Sequence, residues 1–139
     1  MAEPQDNLTI SIEQIRDFEF RVKFDLETIP DLLTDEPPPV GRGSGPSPSR
    51  LLAAAVGNCL GASWLFCARK ARLEPGPVRA DVKVKHVRNE QGRMRIGRIL
   101  VRIEPGITTP EGAERCLKLF QDYCTVSASV RQGIPIDVE

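Results

Sequence analysis

The chain has 139 residues, of which 40% are hydrophobic and 27% charged, and nineteen basic residues balance nineteen acidic ones. That length and composition predict one domain over residues 1–139, with enough apolar material for a core and too much for a disordered protein. A net charge of zero excludes a global electrostatic pull toward nucleic acid or anionic lipid, so neither is expected as a partner. The first ten residues carry two acids and no basic stretch leading into an apolar run, which is unlike a secretory signal, and a cytoplasmic location is expected. Four cysteines are then expected as reduced thiols rather than as a disulfide scaffold.

From Ile15 to Phe24 the chain alternates, with Phe18, Phe20, Val22 and Phe24 on one face and Glu19, Arg21 and Lys23 on the other, which predicts a half-buried strand. A second short strand is expected near Leu33. The prolines and glycines from Pro37 to Pro48 then stop regular structure and make a loop. Ser47 suits a helix N-cap and Pro48 the first helical position, where its missing N–H is no loss. The helix is expected to run to about Arg72. Between Leu51 and Ala68 it carries no charge at all, which predicts a core helix buried on most sides rather than a membrane span. Gly57 and Gly61, four residues apart, are expected to admit another backbone closely.

After Pro75-Gly76-Pro77, Val78 to Val84 alternate with charges, Asn89-Glu90-Gln91-Gly92 makes a turn, and Ile99, Val101 and Ile103 return, giving an antiparallel hairpin with one solvated face. Pro110 is expected to open a second helix with Ala113, Cys116, Leu117, Phe120 and Cys124 on one stripe. A short helix from Thr125 to about Arg131 ends at Gly133, and Ile134 to Val138 reads as a last edge strand.

Groups for catalysis are few. His86, the one histidine, sits among Lys85, Val87 and Arg88 with no ligand or triad partner at a useful spacing and is read as a surface residue. The cysteines form C-x7-C twice, Cys59 with Cys67 and Cys116 with Cys124, unlike zinc spacing, and no metal or cofactor is expected. Eight residues of helix separate two thiols by about 12 Å, so neither local pair can close on itself, while pairing across elements stays open. Cys67 and Cys116 read as small buried hydrophobes. Cys59 lies between Gly57 and Gly61, where the helix surface is bare, and Cys124 lies at a helix junction.

Gly45-Pro46-Ser47-Pro48, then Leu51 through Cys59, then Cys124-Thr125-Val126-Ser127 and Gly133-Ile134-Pro135-Ile136 together resemble the OsmC/Ohr family of osmotically inducible and organic hydroperoxide resistance proteins. The resemblance implies an α+β fold in which antiparallel sheets surround a long hydrophobic helix, an intertwined homodimer, and active sites at the subunit interface. It implies thiol-dependent reduction of organic hydroperoxides, and of hydrogen peroxide more weakly, with Cys59 as peroxidatic and Cys124 as resolving cysteine. A thiolate opens the O–O bond, the sulfenic acid condenses to a disulfide, and a dithiol reductant reopens it.

Burial in an apolar helix raises a thiol pKa, and a mid-helix Cys59 gains little from its own helix dipole, so a cation is needed. Family members use an arginine from the N-terminal strands held by a glutamate just after the proline that starts the central helix. Here Ser49 and Arg50 follow Pro48, so that acid is missing; Arg21 from the first strand is the expected cation, and Arg50, close to the helix start, is the alternative. Two other readings differ in class. One is a catalytically weak relative that binds a small apolar ligand at the dimer interface. The other is a basic sheet surface between Arg79 and Arg102 for nucleic acid, set aside because no aromatics there could stack on bases.

Overall fold

Asp17 adopts a left-handed backbone (φ 48°), a conformation that Asp tolerates better than most residues, and it reverses the chain inside the predicted first strand. Two antiparallel strands therefore replace one, β1 (Ser11–Arg16) and β2 (Glu19–Lys23), with Phe18 exposed in the turn rather than on the inner face. β3 (Leu32–Thr34) completes a three-stranded antiparallel sheet in the order β1-β2-β3. The alternation was correct for Phe20, Val22 and Phe24, and the turn falls where it breaks, at the adjacent polar residues Arg16 and Asp17, which put Ile15 out of phase with Phe18.

The computed structural model describes residues 7–107 and 111–139, in two compact units, Met1–Leu51 and Leu52–Glu139. The proline-glycine loop of the first unit is organised by a buried carboxylate. Asp35 accepts the N–H groups of Glu36 (2.8 Å), Arg42 (3.1 Å) and Ser44 (3.1 Å) and the Ser44 hydroxyl (2.7 Å). These bonds, led by the Ser44 hydroxyl, hold its pKa down at about 2. Ser44 Oγ is also 2.8 Å from buried Glu19, which in turn accepts Arg16 Nε at 2.8 Å. One hydroxyl proton cannot serve both carboxylates at once, so Arg16 is what keeps Glu19 satisfied.

α1 (Pro48–Lys70) starts where the cap pattern predicts: the Ser47 hydroxyl accepts the Arg50 N–H at 3.4 Å, and Pro48 is the first helical residue. The helix is not buried on most sides within this chain. Val56, Leu60, Trp64, Cys67 and Ala68 form a core stripe, while Ala54, Ala55, Asn58, Ala62 and Phe66 are exposed. An uncharged surface shows only that nothing repels burial; which side is covered depends on what packs there. By length and composition α1 could cross a bilayer, but its buried face is the centre of the second unit's core.

That core is closed by the hairpin of β4 (Arg79–Arg88) and β5 (Met94–Glu104), paired antiparallel from Arg79↔Glu104 to Arg88↔Met94. Ile99, Val101 and Ile103 point toward α1, and the Asn89 side chain accepts the Gln91 and Arg93 N–H groups in the turn. A bulge at Lys85/His86 lies beside Gly97, where Val87 leaves no room for a Cβ. Beyond it both faces of the hairpin are exposed.

Gly57 lies against the Val82 side chain, whose Cγ2 would be 2.5 Å from an added Cβ, while at Gly61 the nearest atom is Val78 Cγ1 at 3.9 Å. The close approach is thus made by one glycine, to a strand side chain and not to a second backbone. Trp64, fully buried, donates its indole N–H to the Pro105 carbonyl (2.9 Å) and meets Phe120 edge-on at 6.0 Å.

The second helix is α2 (Glu114–Leu119), followed by a 3₁₀ turn (Phe120–Tyr123) and α3 (Thr125–Gln132). The expected start at Pro110 lies outside the described residues. Ala113, Cys116, Phe120 and Cys124 are buried as the stripe predicts, but Leu117 is exposed at the rim of an open pocket with Trp64, Val101, Ile103 and Phe120. α3 ends at Gly133 with φ 75°, as expected for a C-cap glycine. Ile134 to Val138 form no strand: no described strand of this chain pairs with them, and Ile136 and Val138 are nearly fully exposed.

Two of the four cysteines are not the reduced thiols expected. Cys67 and Cys116 are joined by a disulfide, with Cα atoms 5.7 Å apart. Their burial was legible, but the packing of α2 on α1 that sets one opposite the other was not.

Candidate active site

Cys59 and Cys124 are the free cysteines. Cys59 sits on α1 one turn before buried Ser63 and is partly exposed. Cys124 is fully buried at the start of α3, where it leaves the 3₁₀ turn in extended conformation (φ −84°, ψ 99°) and acts as the N-cap. Its sulfur accepts the Ser127 N–H at 3.4 Å. The two sulfurs lie near enough for each to influence the acidity of the other.

Their acidities are pushed in opposite directions. Burial works against a Cys124 thiolate, but the nearby Ser127 hydroxyl and Cys59 thiol and the bond from the Ser127 N–H outweigh it, so its pKa lies below the ordinary value. Burial dominates at Cys59 and raises its pKa, against a lowering bond from the Val126 N–H. The first-turn N–H groups of α3 thus address both sulfurs, Val126 that of Cys59 and Ser127 that of Cys124. A helix N-terminus favours an anion, so the dipole that α1 cannot give Cys59 comes from another helix. Sequence reasoning missed this contribution, and the cap spacing from Cys124 to Ser127 was the signal for it.

A pocket of about 210 Å³, lined by neither sulfur but reaching Ser127, is walled by Val56, Leu60, Ile99, Val101, Ile103 and Phe120 and carries Gln121, Ser127 and Arg131 on its polar side. The buried Ser127 hydroxyl has no partner of ordinary geometry, though it polarises the Cys124 sulfur. Arg131 is exposed and donates to the Gln121 side chain at 2.9 Å.

Arg21 belongs to the first unit, on β2, where its guanidinium is 3.9 Å from Asp31 and both side chains are about half exposed. Arg50 bonds the Ser47 hydroxyl at 3.2 Å. Among the described residues no cluster of three or more His, Cys, Asp or Glu side chains could hold a metal ion.

Antiparallel sheets, a long central helix and two thiols drawn together at a helix N-terminus define a small α+β protein with a paired-thiol site. Residues 41–139 match the model of the OsmC-like protein family, and the chain belongs to that family. Solved structures of the same fold include an OsmC-like protein from Mycoplasma pneumoniae (14% identity, 94% of this chain and 90% of that one, TM-score 0.77). An organic hydroperoxide resistance protein OsmC from Legionella pneumophila is similar over 93% of this chain and 92% of its own (15% identity, TM-score 0.72). The organic hydroperoxide resistance protein OhrB of Bacillus subtilis aligns over 90% of each chain (19% identity, TM-score 0.68). At these identities the likeness establishes the fold. No curated protein matches the sequence.

Proposed function

We propose that this protein is a thiol-dependent peroxidase that reduces organic hydroperoxides, with Cys59 as the attacking and Cys124 as the resolving sulfur. The observation that carries the reading is the pair of free, mutually interacting thiols, one partly open to a substrate and the other buried. The family, and the hydroperoxide resistance proteins among its structural neighbours, support it.

The site's acidities suggest the order of events. They favour the anion on Cys124 over Cys59, so the reactive state forms when the Cys59 proton passes to Cys124 against that preference, leaving the anion on Cys59. That thiolate attacks the outer oxygen of R–O–O–H. The O–O bond breaks, the alkoxide takes a proton and leaves as alcohol, and Cys59 becomes a sulfenic acid. Cys124 then attacks the Cys59 sulfur, its S–S bond forms as the S–O bond breaks, and hydroxide leaves as water. Two thiols and one hydroperoxide give one disulfide, one alcohol and one water, and an external dithiol returns the two electrons. The apolar pocket suits an alkyl group better than it suits hydrogen peroxide.

Arg21 is the proposed cation. Arg16 stands beside it as a candidate because it is the arginine gripped by a buried glutamate, at 2.8 Å, and Glu19 there supplies the kind of acid missing after Pro48. The whole chain is proposed to work as one domain of a cytoplasmic homodimer. The exposed apolar stripe of α1 and the bare Ile134, Ile136 and Val138 favour a second copy as its cover.

The test is consumption of tert-butyl hydroperoxide with a dithiol reductant. The wild-type protein should turn over, Cys59→Ser should consume nothing above background, and Cys124→Ser should stall with a trappable sulfenic acid on Cys59. Equal consumption by wild type and Cys59→Ser ends the proposal. Arg21→Ala and Arg16→Ala decide the cation, since removing it should move the rate profile to higher pH.

A further inference from the structure

Cys59 and Cys67 are eight residues apart on α1, and Cys116 and Cys124 are eight apart on the segment that packs against it in the opposite direction. The outcome is two rungs between the same two stretches of chain: the free Cys59/Cys124 pair and the Cys67–Cys116 disulfide. The bonded rung lies in the core with Trp64 and Phe120, and both its cysteines are buried. Cys116 is on α2, and only the rest of α2 and the 3₁₀ turn separate it from Cys124.

We propose that Cys67 and Cys116 are a positioning pair, a covalent clamp whose closed state fixes the segment carrying Cys124 so that its sulfur meets Cys59. This rests on Cys59 and Cys124 being the reacting pair. α2 has only six residues, too few to be a stable helix alone, and the turn after it is a single 3₁₀ piece. Such a segment holds its place through what anchors it, and the disulfide is its one covalent anchor to α1. The clamp is also a redox-modification site. Opening it needs a dithiol, which gives two electrons and two protons to the bond and is itself oxidised to a disulfide; closing it needs an oxidant that accepts them. In a reducing compartment a disulfide is uncommon unless it has a redox role.

Diamide tests this without relying on peroxide chemistry, because its N=N bond takes two electrons and two protons from any two neighbouring thiols. Wild-type protein isolated without reductant should show two alkylatable thiols after denaturation, on Cys59 and Cys124. Stoichiometric diamide should then close Cys59–Cys124 at least about fivefold faster in wild type than in Cys67→Ala/Cys116→Ala or Cys67→Ser/Cys116→Ser. Alkylation of Cys59 by iodoacetamide should change less than about twofold between them, which a general collapse of the site would not allow. Fully reduced wild type, with its native sequence, gives the second arm: Cys67–Cys116 should close first and Cys59–Cys124 should follow with a lag. Four alkylatable thiols in the isolated protein, equal closing rates, or closure of Cys59–Cys124 without a lag would each overturn the clamp. Inertness of Cys59 to hydroperoxide alongside the predicted diamide kinetics would end the peroxidase reading and leave the clamp standing.

Discussion

The two thiol pairs share one helix, one facing segment and one spacing, yet one is bonded in the core and the other is free and half open. The difference lies in what surrounds each. Cys67 and Cys116 lie in the apolar core with Trp64 and Phe120 and are closed as a bond. Cys59 and Cys124 meet the N–H groups that begin α3 and two serine hydroxyls, those of Ser63 and Ser127. A cross-link thus occupies the apolar rung and ionisable thiols occupy the polar one, which fits a structural role for the first and a chemical role for the second.

The comparison can be broken at several points. The largest expected effect on stability is at the bonded rung. Replacing both Cys67 and Cys116 by Ala releases a loop spanning 49 residues, for which chain entropy predicts a loss of about 4 kcal/mol. Urea unfolding checks it, and an unchanged midpoint would show that the bond does not constrain the unfolded chain. Next comes the backbone just before the free rung. Gly57→Ala drives a methyl into stiff Val82 and should cost about 1–3 kcal/mol. Gly61→Ala, with room beside Val78, should stay within about 1 kcal/mol, helped by the better helix propensity of alanine.

The smallest effect on stability, and the most informative about chemistry, is at Ser127. Its hydroxyl and N–H lower the Cys124 pKa, so Ser127→Ala should raise it and reduce the thiolate fraction near neutral pH. The pH profile of Cys59–Cys124 disulfide formation should move to higher pH, with little change in the unfolding midpoint. A profile that stays where it was would mean that the backbone N–H groups of α3 alone set the acidity.

The sequence made much of this visible where local rules decide. The cap at Ser47-Pro48, the hairpin turn at Asn89–Gly92, the stop at Gly133 and, through family resemblance, the nearness of Cys59 to Cys124 all involve short-range patterns or a known motif. What it hid depends on tertiary placement. The turn at Asp17 left only one lapse in alternation, at Arg16-Asp17, and the exposed stripe of α1 looked no different from its buried one. The Cys67–Cys116 bond needed the register of α2 on α1. The part of α3 in the site was missed because dipole reasoning was applied to the helix that carries Cys59, whereas the helix that aims its N-terminus at that thiol starts 66 residues later.

The claim at the centre is that Cys59 and Cys124 act as one redox unit while Cys67–Cys116 stays closed. Peptide mapping by mass spectrometry, after adding one equivalent of an alkyl hydroperoxide to protein with its clamp intact, tests it most directly. The account predicts a new Cys59–Cys124 disulfide in most chains, with Cys67–Cys116 unchanged. Free thiols at both positions after the peroxide, or a link from Cys59 to any other cysteine, would contradict it.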